Sequence, residues 1–214
     1  MITNEKKQSE NALIIFVKEP IERKVKTRLG KTIGYDLAVE VYKELLKDTL
    51  EAVRNLEADI FIYYQDQIVS NDLWDQINVK KQLQQTGDLG VKMMTAFQEC
   101  LNLGYKKVGI IGSDCPDITG EILINSYNFL EKSDVTIGPA EDGGYYLLAL
   151  KEIHPQIFEG KKWSTSSVFK DTLNDFKELN LTFSTLPPLS DLDNENDLNK
   201  FPKYKQLVNS LIQS

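Results

Sequence analysis

Two aspartates three residues apart, Asp114 and Asp117, close the segment KVGIIGSDCPD, where an apolar run gives way to a polar loop. Carboxylates so placed form half a site for a hard divalent ion, which takes one or two protein carboxylates and completes its shell with phosphate oxygens and water. Asp114 is the stronger candidate ligand of Mg2+ or Mn2+; Asp117 reads equally as a turn former or helix cap. Cations for the phosphates lie upstream. Between Lys18 and Lys31, six basic residues stand against two acidic ones, a local +4 in a chain of net charge −7. Arg28 suits a planar two-point grip on phosphate, and Lys18 or Lys26 a mobile point charge. Gly87 and Gly90 permit a close approach of backbone to ligand, and Asp88 between them can start a helix whose free amides meet an anion. Cations, amides and a divalent metal are what a nucleoside diphosphate or triphosphate needs when its leaving phosphate departs.

A second group lies downstream. Glu141-Asp142-Gly143-Gly144-Tyr145-Tyr146 puts two carboxylates beside a turn. One of them, with Asp142 preferred, can accept a proton from an attacking hydroxyl or bind sugar hydroxyls; an Asp-Gly hairpin turn is the plainer account of the same residues. Trp163-Ser164-Thr165 can stack on a sugar or close a pocket, although Ser164 also reads as an N-cap and Trp163 as core. The acidic stretch Asp191, Asp193, Glu195 and Asp197 offers a second metal ligand, taken as Asp193, or a solvated loop. The single histidine, His154, has no matching base or nucleophile near it in the sequence.

The elements that must position these groups follow from the apolar pattern. ALIIFV, residues 12–17, is a short buried strand ended by Lys18-Glu19-Pro20. Apolar residues at helical spacing over 35–56 make a long amphipathic helix, and DIFIYY, residues 59–64, makes a second strand. A helical turn at 73–76 and an extended stretch at 79–85 follow. From Asp88, a helix presents Val91, Met94, Phe97, Leu101 and Leu103 as its apolar face and stops at Gly104. Strands at 108–111 and 135–138, a helix from Thr119 to about 130, and a strand at 145–150 come next. Residues 164–179 read as helix, 181–186 as extended, and a last helix runs from 196 to the C-terminus. Alternating strands and helices predict a mostly parallel sheet covered on both faces, with an antiparallel element at Asp142. Ligands of such sheets bind beyond the carboxyl ends of the strands, so the loops 18–31, 87–90 and 113–117 are expected to converge there.

Composition narrows the partners. A chain of 214 residues, 41% of them hydrophobic, can build one substantial core, and no repeat or linker divides it. The expected organisation is a polar N-terminal extension at 1–11 and one domain at 12–214. No apolar run approaches the roughly 20 residues of a membrane span. The N-terminus lacks a signal-peptide layout, so a cytoplasmic protein is expected. The acidic balance disfavours nucleic acid as a partner, and Cys100 and Cys115 have no zinc-like spacing.

Seven segments occur in one order: KEP, VKTRLG, TGDLG, GSDCPD, GPAEDGGYYLLAL, WST and DLDNENDL. Together, over about 12–198, they resemble the rSAM/selenodomain-associated transferase family. That family includes arsenosugar-biosynthesis-type glycosyltransferases and lies within the GT-A-like nucleotide-diphospho-sugar transferase superfamily. The resemblance implies a three-layer α/β/α sandwich with a mixed, mostly parallel central sheet. It also implies that Lys18, Lys26, Thr27 and Arg28 belong to the nucleotide loop, that Asp114 stands at the metal, and that Asp142, Gly143 and Gly144 line the acceptor side, with Tyr146 beside them. Here Glu22-Arg23-Lys24 stands where the family often has Pro-Gly, and Val91-Lys92 where Glu-Arg is usual. The expected activity is metal-dependent transfer of a sugar from a nucleotide sugar to a small-molecule acceptor. The alternatives are nucleotidyl transfer from an NTP to a phosphorylated small molecule, and a catalytically silent nucleotide-binding domain.

Overall fold

The computed structural model describes residues 9–213. Seven strands form one sheet in the order β3-β2-β1-β4-β6-β5-β7. They are β1 (Asn11–Val17), β2 (Asp59–Tyr64), β3 (Val79–Leu83), β4 (Lys107–Ile111), β5 (Val135–Pro139), β6 (Tyr145–Leu150) and β7 (Phe183–Thr185). β6 alone runs against its neighbours, pairing antiparallel with β4 and β5, while the other pairings are parallel. The sheet is therefore mixed and mostly parallel, as predicted. Asn11 is already paired with Lys107, so the sheet begins one residue inside the predicted extension; residues 1–8 of that extension lie outside the described residues.

Among the described residues seven α-helices cover the sheet: α1 (Thr27–Ile33), α2 (Tyr35–Val53), α3 (Leu89–Asn102), α4 (Gly120–Phe129), α5 (Val168–Glu178), α6 (Glu195–Lys200) and α7 (Pro202–Ile212). The period-2 alternation of strand side chains sorts them into two layers. Leu13, Ile15 and Val17 of β1 face a cluster built with α1, α2, α4, α6 and α7. Ala12 and Ile14 face the opposite cluster, with α3 and α5. The product is the three-layer GT-A-like arrangement. Among the described residues no helix is long and apolar enough to cross a membrane.

Four expectations need correction, each for a local reason. The basic segment does not stay a loop: Lys26 adopts a left-handed conformation (φ 44°, ψ 44°) and the chain turns straight into α1. The helix expected from Ser164 starts at Val168, because Ser164 is left-handed (φ 62°) and the Thr165 hydroxyl donates to the Lys162 carbonyl, closing a turn first; Ser164 caps no helix. The C-terminal helix is two helices, because Phe201 precedes Pro202 and the proline ring excludes the helical conformation from the residue before it. The buried side of α3 is Met93, Ala96, Phe97 and Cys100, while Val91 and Leu103 are exposed. Ala96 and Cys100 share that layer with the rings of Phe61, Tyr63, Phe97 and Tyr105.

Candidate functional site

β1 leads to β2 on one side, and the later β4 lies on its other side, so the direction of winding changes between β1 and β4. The carboxyl ends of strands flanking such a reversal splay their loops apart and leave a crevice. An open cleft of about 560 Å3 lies there, within the range of small-ligand sites. Because β6 alone is reversed, the turn between β5 and β6 opens at the same edge and delivers Asp142 to the cleft.

The level of the cleft floor is set by register. Val17, Tyr64 and Leu83 are aligned at the ends of three parallel strands, and the next residues, Lys18, Gln65 and Gln84, all line the cleft. The Gln84 amide donates to the carbonyls of Tyr63 and Val17, stitching the strand ends together. On the other side of β1, the backbone N–H of Lys18 donates to the Tyr42 hydroxyl, which lies 2.9 Å from Ser113 Oγ; the Ser113 hydroxyl in turn donates to the Phe16 carbonyl. Burial, with the Asp114 charge, pushes the Tyr42 phenol up to about 12, so it stays a neutral donor. This chain fixes the exits of β1 and β4, and with them Lys18 and Asp114.

Lys26 is the centre of charge. Its ammonium sits 2.5 Å from Asp114 Oδ1 and 3.2 Å from Asp193 Oδ1. Burial acts to deprotonate the amine, but the two carboxylates outweigh it and hold its pKa above the ordinary lysine value, so it is charged. Burial likewise works to raise the Asp114 pKa, and the ammonium of Lys26 with Lys18 behind it reverses this, leaving the carboxyl below its usual value. Arg28 is exposed at the rim, 3.8 Å from Asp193 Oδ2.

The acidic stretch reaches this point because the segment after β7 stays laced to the sheet edge. Leu186 N–H donates to the Ile137 carbonyl, Leu189 N–H to that of Pro139, and Leu192 N–H to that of Asp114. Asp191 and Asp193 thus enter the cleft. Asp197 instead accepts from the backbone N–H groups of Asp193 and Asn194 and completes the capping box of α6. Burial and the charges of Asp114, Asp142 and Asp193 push the Asp191 carboxyl up to about 7.

Of the residues singled out from the sequence, Lys18, Lys26, Thr27, Arg28, Asp114, Asp142, Gly144, Tyr146, Trp163, Ser164, Thr165 and Asp193 line the one cleft. Gly87, Asp88, Gly90, Asp117 and Gly143 do not. Asp88 caps α3 by accepting from Val91 N–H, and Asp117 is exposed beyond the rim. Gly90 is where α3 touches the Trp163 indole: a Cβ there would lie 2.1 Å from the Phe158 carbonyl oxygen. Gly143 (φ 92°) presses the turn against the Ser166 backbone, and its carbonyl accepts from Phe169 N–H, docking the turn on the start of α5. Asp142 accepts from Gly144 N–H and remains exposed, so the hairpin reading of this turn holds together with its place in the cleft. Tyr146 donates to the Pro187 carbonyl and stacks on Gly138, a packing role beside its place in the lining. The sequence names Asp191 only as one of four acids from which Asp193 is taken, and gives Tyr42, Ser113, Gln65, Gln84 and Lys92 no site role. For Gln65 and Gln84 the available signal is a polar residue immediately after a strand, as at Lys18.

Residues 47–165 match the family described as "Uncharacterized protein conserved in bacteria (DUF2064)". The chain belongs to that family. It is similar to a candidate nucleotide-diphospho-sugar transferase from Desulfovibrio desulfuricans G20, with 32% identity over 96% of this chain and 95% of that one and a TM-score of 0.84. Two further structures share the fold at low identity. One is 4-diphosphocytidyl-2C-methyl-D-erythritol synthase of Anaerococcus prevotii DSM 20548, at 12% identity, covering 92% and 98% of the two chains, TM-score 0.58. The other is Rv0371c of Mycobacterium tuberculosis H37Rv in complex with manganese, at 10% identity, covering 94% and 98%, TM-score 0.53. No curated protein matches the chain.

Proposed function

We propose that this member of the DUF2064 family is a nucleotide-dependent transferase, and specifically a glycosyltransferase that moves a sugar from a nucleotide-sugar donor to a small-molecule acceptor. The observation that carries this reading is the cleft itself, in which the Lys18–Arg28 cations, the Asp114–Asp193 pair and Asp142 line one crevice at the winding reversal. The likeness to the Desulfovibrio protein over almost the whole chain favours a nucleotide sugar as donor. Kinship with the rSAM/selenodomain-associated transferases is part of the same proposal and rests on the seven ordered segments.

Lys18, Lys26 and Arg28 hold the diphosphate and take up the charge that develops as it leaves. An acceptor hydroxyl oxygen attacks the anomeric carbon, the bond from that carbon to the diphosphate oxygen breaks, and the nucleoside diphosphate departs with the electron pair. Asp142 receives the hydroxyl proton or orients the hydroxyl for attack.

A divalent metal fits the residues present. Asp114 and Asp193 already converge on a cationic group, the Lys26 ammonium, and Asp191 adds acidity beside them. Among the described residues no cluster of three acidic, histidine or cysteine side chains closes around one point; with one or two protein carboxylates, the rest of a divalent ion's shell falls to phosphate oxygens and water. Asp114 and Asp193 would hold Mg2+ or Mn2+, which supplies neutralising charge to the diphosphate.

The second reading is nucleotidyl transfer, favoured by the fold shared with the Anaerococcus synthase. The two differ in what leaves. Mass analysis after incubation with nucleotide sugars or NTPs, Mn2+ and acceptor pools is expected to show a nucleoside diphosphate and a glycosylated product. Metal-dependent pyrophosphate release without sugar transfer would defeat the glycosyl reading.

A further inference from the structure

The charges lining the cleft are sharply divided. Every lysine and arginine among its described lining residues comes from the loop after β1, from the start of α1 or from α3: Lys18, Lys24, Lys26, Arg28 and Lys92. Lys24 pairs with Asp66, just beyond β2, and the Lys92 charge acts on the same carboxylate, so these two belong to the β2 and β3 side. The half under β6 and β5 is lined by Asp142, Tyr145, Trp163, Ser164, Thr165 and Asp191. It contains carboxylates, hydroxyls and aromatic rings, and no cation among its described lining residues.

Lysines close to that half in sequence are turned to other work. Lys161, with 4% of its side chain exposed, is paired with Asp175 behind the Trp163 loop. Lys200 is paired with Glu141 and Asp197. Lys162 is exposed and does not line the cleft. A phosphate monoester brings roughly 1.5 to 2 negative charges and needs cations or clustered amides. Placed between Asp142 and Asp191, it meets like charge, and the cation whose field reaches Asp191, Lys26, is already held by Asp114 and Asp193. A sugar or polyol hydroxyl finds acceptors in the carboxylates and hydroxyls, and its C–H face finds the rings of Tyr145 and Trp163. A protonated amine is equally welcome there.

We propose that the acceptor half of the cleft takes an uncharged or cationic hydroxyl-bearing small molecule and rejects phosphate monoesters. This rests on the glycosyl-transfer reading and names its acceptor class. In the reaction, the acceptor O–H becomes the new glycosidic oxygen, its proton passes to the Asp142 side, and the donor's carbon–oxygen bond electrons leave with the nucleoside diphosphate.

The test uses the full chain with Mn2+ and whichever of ADP, CDP, GDP or UDP stabilises it most, at saturation. Glucose 6-phosphate is then titrated and its binding followed by saturation-transfer NMR. The wild-type protein is expected to show no second site for it. A Thr165→Lys variant, at an exposed position in the acceptor half, is expected to gain affinity for it by about tenfold or more. Glucose 6-phosphate binding beside the nucleotide in the wild type, or an unchanged Thr165→Lys variant, would overturn the assignment. Turnover separates the two levels of the argument. Pyrophosphate release from an NTP with glucose 6-phosphate as acceptor sinks the glycosyl reading and the acceptor class together. Sugar transfer onto glucose 6-phosphate keeps the first and overturns the second.

Discussion

Lys26 and Asp114 form an ion pair at 2.5 Å in which the lysine side chain is 2% exposed and the aspartate side chain 50% exposed. The lysine is the sealed partner, and the carboxylate keeps one side open to the cleft. A buried ammonium loses its hydration and is held only by its two carboxylates. Those are the carboxylates proposed to hold the metal, so the two cations compete for them, while Lys26 and the metal cooperate once a diphosphate brings its own negative charge.

The Lys26→Met variant separates these effects. Without the ammonium, Asp114 keeps only the Lys18 charge and Asp193 only the exposed Arg28, with Asp191 beside them, and Mn2+ alone is expected to bind about tenfold tighter or more, roughly 1.4 kcal/mol. The nucleoside diphosphate, having lost a phosphate contact, is expected to bind more weakly. Calorimetric titrations of each ligand alone check both signs; unchanged Mn2+ affinity would contradict the shared-carboxylate account.

Asp191 sets a pH dependence. Its folded pKa of about 7 lies above the ordinary carboxylate value near 4, so between roughly pH 4 and 7 the folded state binds more protons than the unfolded one. Stability from this group is full below about pH 4 and is lost as the pH rises through 7. Asp191→Asn is expected to flatten the fall in melting temperature over that window and, in chelator-treated protein at pH 8, to stabilise by on the order of 2 kcal/mol. Melting scans from pH 4 to 8 read this directly. An unaltered slope would place the titration elsewhere.

Asp142 is exposed, and its one hydrogen bond within the turn is to Gly144 N–H, which the amide oxygen of Asn can keep. Asp142→Asn is therefore expected to fold normally and retain nucleotide affinity while transfer falls by about 10²- to 10⁴-fold, the usual contribution of a general base. Steady-state kinetics should place the loss in kcat. A loss of donor binding instead would make the turn a donor contact.

Gly90 tests the packing that supports the acceptor half. A Cβ would meet the Phe158 carbonyl at 2.1 Å and the Trp163 ring at 2.8 Å, so backbone and indole must both move. Gly90→Ala is expected to cost about 1–3 kcal/mol in denaturant unfolding. It should also shift the fluorescence of Trp163, with Trp163→Phe as the control that assigns the signal.

Much of the fold was legible because strand and helix periods are local. DIFIYY reads as a strand by itself, and the residue ranges of β2 and the 73–76 turn are recovered as written. The apolar face of α3 is legible in part: Phe97, Met94 and Leu101 pack against the core, whereas Val91 and Leu103 are exposed and Met93, Ala96 and Cys100 complete the buried side. Lys18, Lys26, Arg28 and Asp114 were legible as site candidates because charged residues following an apolar strand need an explanation beyond packing. Asp191 was hidden: in sequence it is one acid among four, and nothing local distinguishes it from Asp197, which caps a helix.

The sequence by itself determined the elements, the positive island in an acidic chain and the ordered motifs, because each depends on residues within a few turns or strand lengths of one another. Only the tertiary structure decided that Lys26 would be sealed between two aspartates 79 residues apart in the chain. It also decided that the lysines and arginines among the cleft's described lining residues would come from the stretch between β1 and α2 and from α3, and none from the segments that carry Asp142, Trp163 and Asp191. Both outcomes depend on where β1 falls in the strand order, on the reversal of β6 and on the lacing of residues 186–192 along the edge. Those are non-local pairings, and no window of sequence contains them.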